Sequence, residues 1–113
     1  MAPSFSIPSG SALTVRIIDT TSYIKVPIAP FMAPEMHGFT HMECNAYSFL
    51  VEHPSGRKLL FDLGVRKDWH NMAGPVIQRI KDNGFSVAVE KNVIDILEEQ
   101  GMKGGEVEAV IWR

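Results

Sequence analysis

Histidine, cysteine and carboxylate side chains are the groups here that could bind a metal or move a proton, and their spacing limits what they could do. The histidines are His37, His41, His53 and His70. The i, i+4 spacing of His37 and His41 would aim both rings at one metal if the segment were helical. Gly38 between them and Pro34 before them argue against a helix. Only Glu35, Glu43 or Cys44 stand close enough in sequence to add a ligand, whereas a catalytic zinc needs three from the protein. The expectation is loop histidines that hydrogen-bond or face a pocket. Cys44 beside His41 has the composition of a nucleophile and base, but such pairs are defined in space, and inert buried cysteines are commoner.

Asp62 is more informative. It follows the apolar run Leu59-Leu60-Phe61 and precedes Leu63-Gly64, so its carboxylate must either be buried with partners or emerge at a sheet edge, where sites are built. The alternative is an aspartate that closes the next turn through its own backbone contacts. Tyr47 and Trp69 read as packing or pocket-wall aromatics. Gly101, Gly104 and Gly105 follow a predicted helix instead of leading into one, the wrong order for a phosphate-binding loop.

These residues need elements to hold them. Residues 1–12 mix Pro3, Pro8, Gly10 and four serines without periodicity, and predict a mobile tail ahead of a domain over 13–113. Leu13, Val15 and Ile17 alternate with polar residues as a strand does. From Asp19 to Cys44 the pattern is lost and Pro27, Pro30 and Pro34 intervene, which predicts an unusually long loop. Its apolar residues, Ile24, Val26, Ile28, Phe31, Met32, Met36 and Phe39, predict a lid packed on something. Asn45–Glu52 and Arg57–Leu63 are β-rich runs joined by His53-Pro54-Ser55-Gly56, an antiparallel hairpin. A helix is expected from Gly74 or Pro75 with Val76, Ile77 and Ile80 on one face, ended by Asn83-Gly84. Asn92 caps a second helix bearing Val93, Ile96 and Leu97, and Gly101 stands at its left-handed end. Val107–Trp112 then reads as a strand buried on both faces. Only Arg113 follows, so the domain is expected to be truncated there.

The order strand, loop, hairpin, helix, helix, strand defines a mixed α/β arrangement of the α+β sandwich type. Eleven basic and thirteen acidic residues, with neither sign in a block, speak against nucleic acid or an anionic membrane as partner. No apolar run approaches the ~20 residues of a membrane span. One cysteine, and a tail too polar for a signal-peptide core, place the chain in the cytoplasm.

Taken together, Val15–Asp19, the hairpin from Asn45 to Gly64 and the closing Glu106-Val-Glu-Ala-Val-Ile-Trp112 resemble the metallo-β-lactamase superfamily, most closely its lactonase-like and fungal lactamase-like members. The resemblance implies the N-terminal half of an αββα sandwich: a mixed sheet with helices on one face. It also implies ring opening of a lactone or lactam by water that two zinc ions activate in the complete domain. In that family a strand like Val107–Trp112 leads into His-x-His-x-Asp-His, which is not in this sequence, so neither a zinc nor catalytic turnover is expected of this chain. Asp62-Leu63-Gly64 is similar to the family's Asp-x-Gly, whose aspartate orients metal ligands without bonding the metal. The segment with His37, His41, Met42, Cys44, Asn45 and Tyr47 is similar to the one lining the substrate entrance.

Three functions are open on this basis. One is a hydrolase by descent that is silent as this chain. Another is a non-enzymatic half that associates with itself or a complementing chain through an exposed sheet edge. The last is a small independent enzyme or metal protein using His37, His41 and Cys44. A half sandwich should be poorly soluble or partly ordered, with Val107–Trp112 least protected from exchange.

Overall fold

A computed structural model describes residues 3–112. Its five strands form one mixed sheet in the order β4-β1-β2-β3-β5. They are β1 (Thr14–Pro27), β2 (His41–Glu52), β3 (Lys58–Phe61), β4 (Ser86–Val89) and β5 (Ala109–Ile111). Neighbours pair antiparallel except β3 and β5, which run parallel. Helix α1 (Gly74–Asp82) lies between β3 and β4 in the chain, and α2 (Val93–Glu99) between β4 and β5.

The expected hairpin is present. His53 closes it by donating its amide to the Arg57 carbonyl at 2.9 Å, and Gly56 takes a φ of +92° that the turn requires. Both helices begin and end where the sequence places them. Pro75 occupies the first turn of α1, and Gly84, at φ +67°, follows its end. The Asp95 carboxylate accepts the Asn92 backbone N–H at 3.2 Å to start α2, and Gly101 follows at φ +85°.

Three expectations need correction. The loop predicted over 19–44 is mostly strand: β1 continues to Pro27, β2 starts at His41, and only residues 28–40 connect them. The pattern vanished from the sequence because four polar residues in a row, Asp19-Thr20-Thr21-Ser22, span a bulge. The register moves from Asp19 opposite Tyr47 to Ser22 opposite Ala46, with Thr21 at φ +56°. The lid is also not packed as expected, since Val26 and Ile28 are buried but Phe31, Met32, Met36 and Phe39 remain exposed. Of these four, Phe31 does stack on Phe85, with ring centroids 5.9 Å apart. Lastly, β5 is not buried on both faces. It is an edge strand paired with β3 alone, and Val110, Ile111 and Trp112 are all exposed. Strand β4 was not anticipated, although Phe85, Val87 and Val89 alternate with Ser86 and Ala88.

Strand parity divides the sheet into two faces. On one, Arg16, Leu50, Leu60 and Val110 form a row across four strands. Ile18, Leu50 and Leu60 join Val93 and Leu97 of α2 in the buried core, with Ile96, Met102 and Val107 packed against them. The first turns of both helices border one cleft beside Val93, so both lie on this side. No element covers the opposite face among the described residues; Val15 and Ile17 are exposed on it. The body is correspondingly thin, 48 × 46 × 22 Å.

Candidate functional site

The site with the most constrained geometry lies at the C-terminal ends of the parallel strands β3 and β5, the usual place for function in sheets with parallel strands. Asp62, the first residue after β3, donates its amide to the Ile111 carbonyl at 2.9 Å and adopts φ +64°. A left-handed conformation is uncommon for any residue but glycine, though aspartate tolerates it when its side chain bonds locally. Here Oδ1 of Asp62 accepts the Gly64 amide at 2.9 Å, closing an Asx turn. The Ser48 hydroxyl, fully buried, donates to the Asp62 carbonyl at 2.5 Å and lies 3.3 Å from the Phe61 carbonyl.

Gly64 then passes against β1 so closely that a Cβ would lie 2.8 Å from Oγ1 of Thr20 and 2.9 Å from its Cβ and Cγ2. Its φ of +62° independently favours glycine. Thr20 is buried, its hydroxyl donating to the Ala46 carbonyl at 2.7 Å and lying 2.9 Å from the Ser22 hydroxyl. The β1 bulge repeats the device of the Asp62 turn: Oδ1 of Asp19 accepts the Thr21 amide at 2.9 Å. The Thr21 hydroxyl accepts the Lys91 amide at 2.9 Å, and Oδ1 of Asn92 accepts the Lys67 amide at 2.8 Å. A bulge, a turn and the start of α2 are thus fastened into one unit.

Beside this unit opens a cleft of about 640 Å³ bordered by Leu63, Gly64, Met72, Val76, Val93 and Trp112. Arg66 stands at its rim, paired with Asp68, and this guanidinium lowers the Asp68 carboxyl from 3.8 to about 2.

Asp62 and Gly64 are therefore brought together as the sequence implied, and the turn-closing role of the carboxylate is realised. The other candidates are scattered. Tyr47 is the nearest, one residue before Ser48 and opposite Asp19. Asn45 lies opposite Tyr23 on the same bare face. On that face the neighbouring Glu43 carboxylate raises the Tyr23 phenol above its ordinary value. Met42 and Cys44 point to the other face, opposite Val26 and Ile24. His41 begins β2, six residues from Tyr47, which at the strand rise is about 20 Å. His37 is on the exposed 28–40 connection. Odd-numbered His41 and even-numbered Cys44 face opposite sides of one strand, so they do not form a nucleophile and base pair. Thr20, Ser22 and Ser48 were missed. Their signal was a hydroxyl at positions where the alternation places a core residue.

Among the described residues, no three histidine, cysteine or acidic side chains converge in a way that could hold a metal ion. Asp62 alone already spends one oxygen on Gly64. The donors of these residues do not fit a zinc ion, which needs three or four convergent ligands.

A mixed α+β sheet with helices on one side and an Asp-x-Gly turn at its parallel strand ends is the architecture expected of half a metallo-β-lactamase sandwich. No protein-family model matches the chain, nor does a solved structure. Known proteins do. A γ-lactamase from Fusarium pseudograminearum is 39% identical over 119 residues, covering 99% of this chain and 29% of that protein. A metallo-hydrolase from Annulohypoxylon moriforme is 36% identical over 115 residues, covering 97% of this chain and 30% of that protein. A cytochrome P450 monooxygenase from Penicillium brevicompactum is 32% identical over 115 residues, which is 97% of this chain but 13% of that protein. The chain thus spans less than a third of the length of each of these relatives. The names γ-lactamase and metallo-hydrolase among these relatives support a metallo-β-lactamase-like N-terminal fragment.

Proposed function

We propose that this chain supplies the sheet and the supporting turn of a hydrolase that opens a lactam or lactone ring, and that it does not turn over substrate by itself. The observation that carries this is the Asp62–Gly64 turn, locked from beneath by Thr20 and Ser48. Such rigidity positions a carboxylate oxygen better than a mobile loop could. The Oδ1 contact to Gly64 fixes the turn, and the second oxygen is left to orient a group contributed by other residues of a complete domain. Tyr47 borders the same end of the sheet and would face the ring being opened, with Asn45 further along the same face. His37, His41, Met42 and Cys44 would reach a substrate there only after a movement of the outer β1–β2 ribbon, because of their distance.

The relatives' names support a hydrolase acting on a cyclic amide, and the absence of a three-ligand cluster among the described residues supports the lack of turnover. We further place the chain in a reducing compartment, the cytoplasm, where the thiol of Cys44 stays free. Recovery of the native protein from the secreted fraction of its cells would contradict that placement. No described helix is long and apolar enough to cross a membrane.

The test is metal analysis of the purified chain after dialysis, together with lactam and lactone hydrolysis assays. The expected result is near-zero zinc and no turnover. Stoichiometric zinc with turnover would overturn the proposal and return attention to His37, His41 and Cys44.

A further inference from the structure

Ser48 stands where the sheet calls for an apolar side chain. It lies opposite Ile18, on the same face as Leu50, and is fully buried beside these two core residues. A hydroxyl in such a place carries a desolvation cost that an alanine would not, unless hydrogen bonds compensate. Its one proton faces two carbonyl oxygens, that of Asp62 at 2.5 Å and that of Phe61 at 3.3 Å. These carbonyls are consecutive and flank the Cα of Asp62. In an extended strand consecutive carbonyls point to opposite sides, so a single hydroxyl cannot reach both. It reaches both here because the chain between them has left the extended form, with Asp62 at φ +64°.

We propose that Ser48 is a positioning residue, whose hydroxyl selects the left-handed backbone of Asp62 and thereby sets where its second carboxylate oxygen points. Were Asp62 extended like the rest of β3, strand parity would turn its carboxylate toward the face that carries Leu60 and α2. In the left-handed form Oδ1 instead reaches the Gly64 amide at 2.9 Å. That contact ties the side chain to the turn, whereas Ser48 holds the peptide groups on either side of the Cα, so the two act on different torsions. Thr20 meets Gly64 from β1, where no Cβ would fit, and leaves the turn little room to relax. In calling this positioning, the inference rests on the hydrolase proposal, in which the second oxygen orients a group of the complete domain. The selection of the backbone by Ser48 rests on buried contacts within the described residues alone.

Amide hydrogen exchange of the purified chain, followed by NMR, tests it on Ser48→Ala and on Ser48→Cys, which fills the same space with a much weaker donor. In both, the Gly64 amide should lose at least tenfold more protection than the amides of the β2–β3 ladder, and the carboxyl carbon resonance of Asp62 should move. Ser48→Thr, which keeps the hydroxyl, should retain the wild-type resonance and Gly64 protection. Gly64 protection that falls only in step with the ladder, slightly or through general unfolding, overturns the inference, because the Asx turn then holds itself. So does a Ser48→Thr chain whose ladder stays protected while its turn opens. The two proposals fail separately: zinc or turnover in the unmodified chain would sink the hydrolase proposal without moving these exchange rates, and an unaffected turn would leave that proposal's assays as expected.

Discussion

The two faces of one sheet make the most instructive comparison in this molecule. Leu50 and Leu60 on one face are almost completely buried under Val93 and Leu97, while one residue along the same strands Phe49 and Phe61 line a face that no described element covers. Composition does not explain the difference, since both rows are apolar. What distinguishes them is that α2 is capped, stopped and tied by Lys91 and Asn92 to one side of the sheet. Apolar character thus marks surfaces that need a partner, and the tethering of the connecting segments decides which surface receives one from within the chain.

The strongest way to sharpen this comparison is to truncate one residue from each face. Leu60→Ala opens a cavity in the buried core beneath α2 and should cost about 2–5 kcal/mol. Ile17→Ala, measured by urea denaturation, should change stability by no more than about 0.5 kcal/mol. Equal losses would show that the second face is already covered in the single chain.

A smaller effect tests the junction between the bulge and the Asp62 turn. Gly64→Ala should destabilise by roughly 2 kcal/mol, from its left-handed backbone and the contact with Thr20. Adding Thr20→Ser removes the methyl that lies 2.9 Å from the new Cβ while keeping the hydroxyl, so it should recover part of that loss. Simple additivity of the two changes would mean that the contact carries none of the cost.

The smallest expected effect is electrostatic. Arg66 holds the Asp68 carboxyl near 2 in the folded chain, below its ordinary 3.8. A depressed carboxylate contributes stability above its unfolded value and loses it as pH falls through the folded one. The contribution is therefore complete above about pH 4 and fades toward pH 2. The pair is exposed, so the effect is slight; Asp68→Asn should lower stability a little at neutral pH and not near pH 2, which flattens the acid side of the stability profile. An unchanged acid limb would remove any role for the pair in folding.

Much of the local structure was legible. The hairpin is set by His53-Pro54-Ser55-Gly56 and its flanking alternation, and the helices by Pro75, Asn92, Gly84 and Gly101, all of which act over a few residues. Strand β1 was cut short because Asp19-Thr20-Thr21-Ser22 hides a bulge whose partners, Lys91 and Gly64, are far away in sequence. Strand β4 was missed as a run of only four residues with small side chains, whose pairing with β1 supplies most of its definition. In the site, Asp62 and Gly64 announced themselves as a turn at a strand end. Thr20 and Ser48 did not, because a hydroxyl becomes structural only when a distant backbone carbonyl lies within its reach.

By itself, the sequence determined the turns, the helix ends and the assignment of alternate residues to opposite faces, since these depend on backbone geometry within a few residues. Tertiary structure alone decided the rest: that Gly64 presses on Thr20, that His41 and Cys44 are parted from Asp62, and that one apolar face is covered by α2 while no described element covers its twin. Those outcomes rest on register and packing between segments far apart in the chain, which local propensity does not encode.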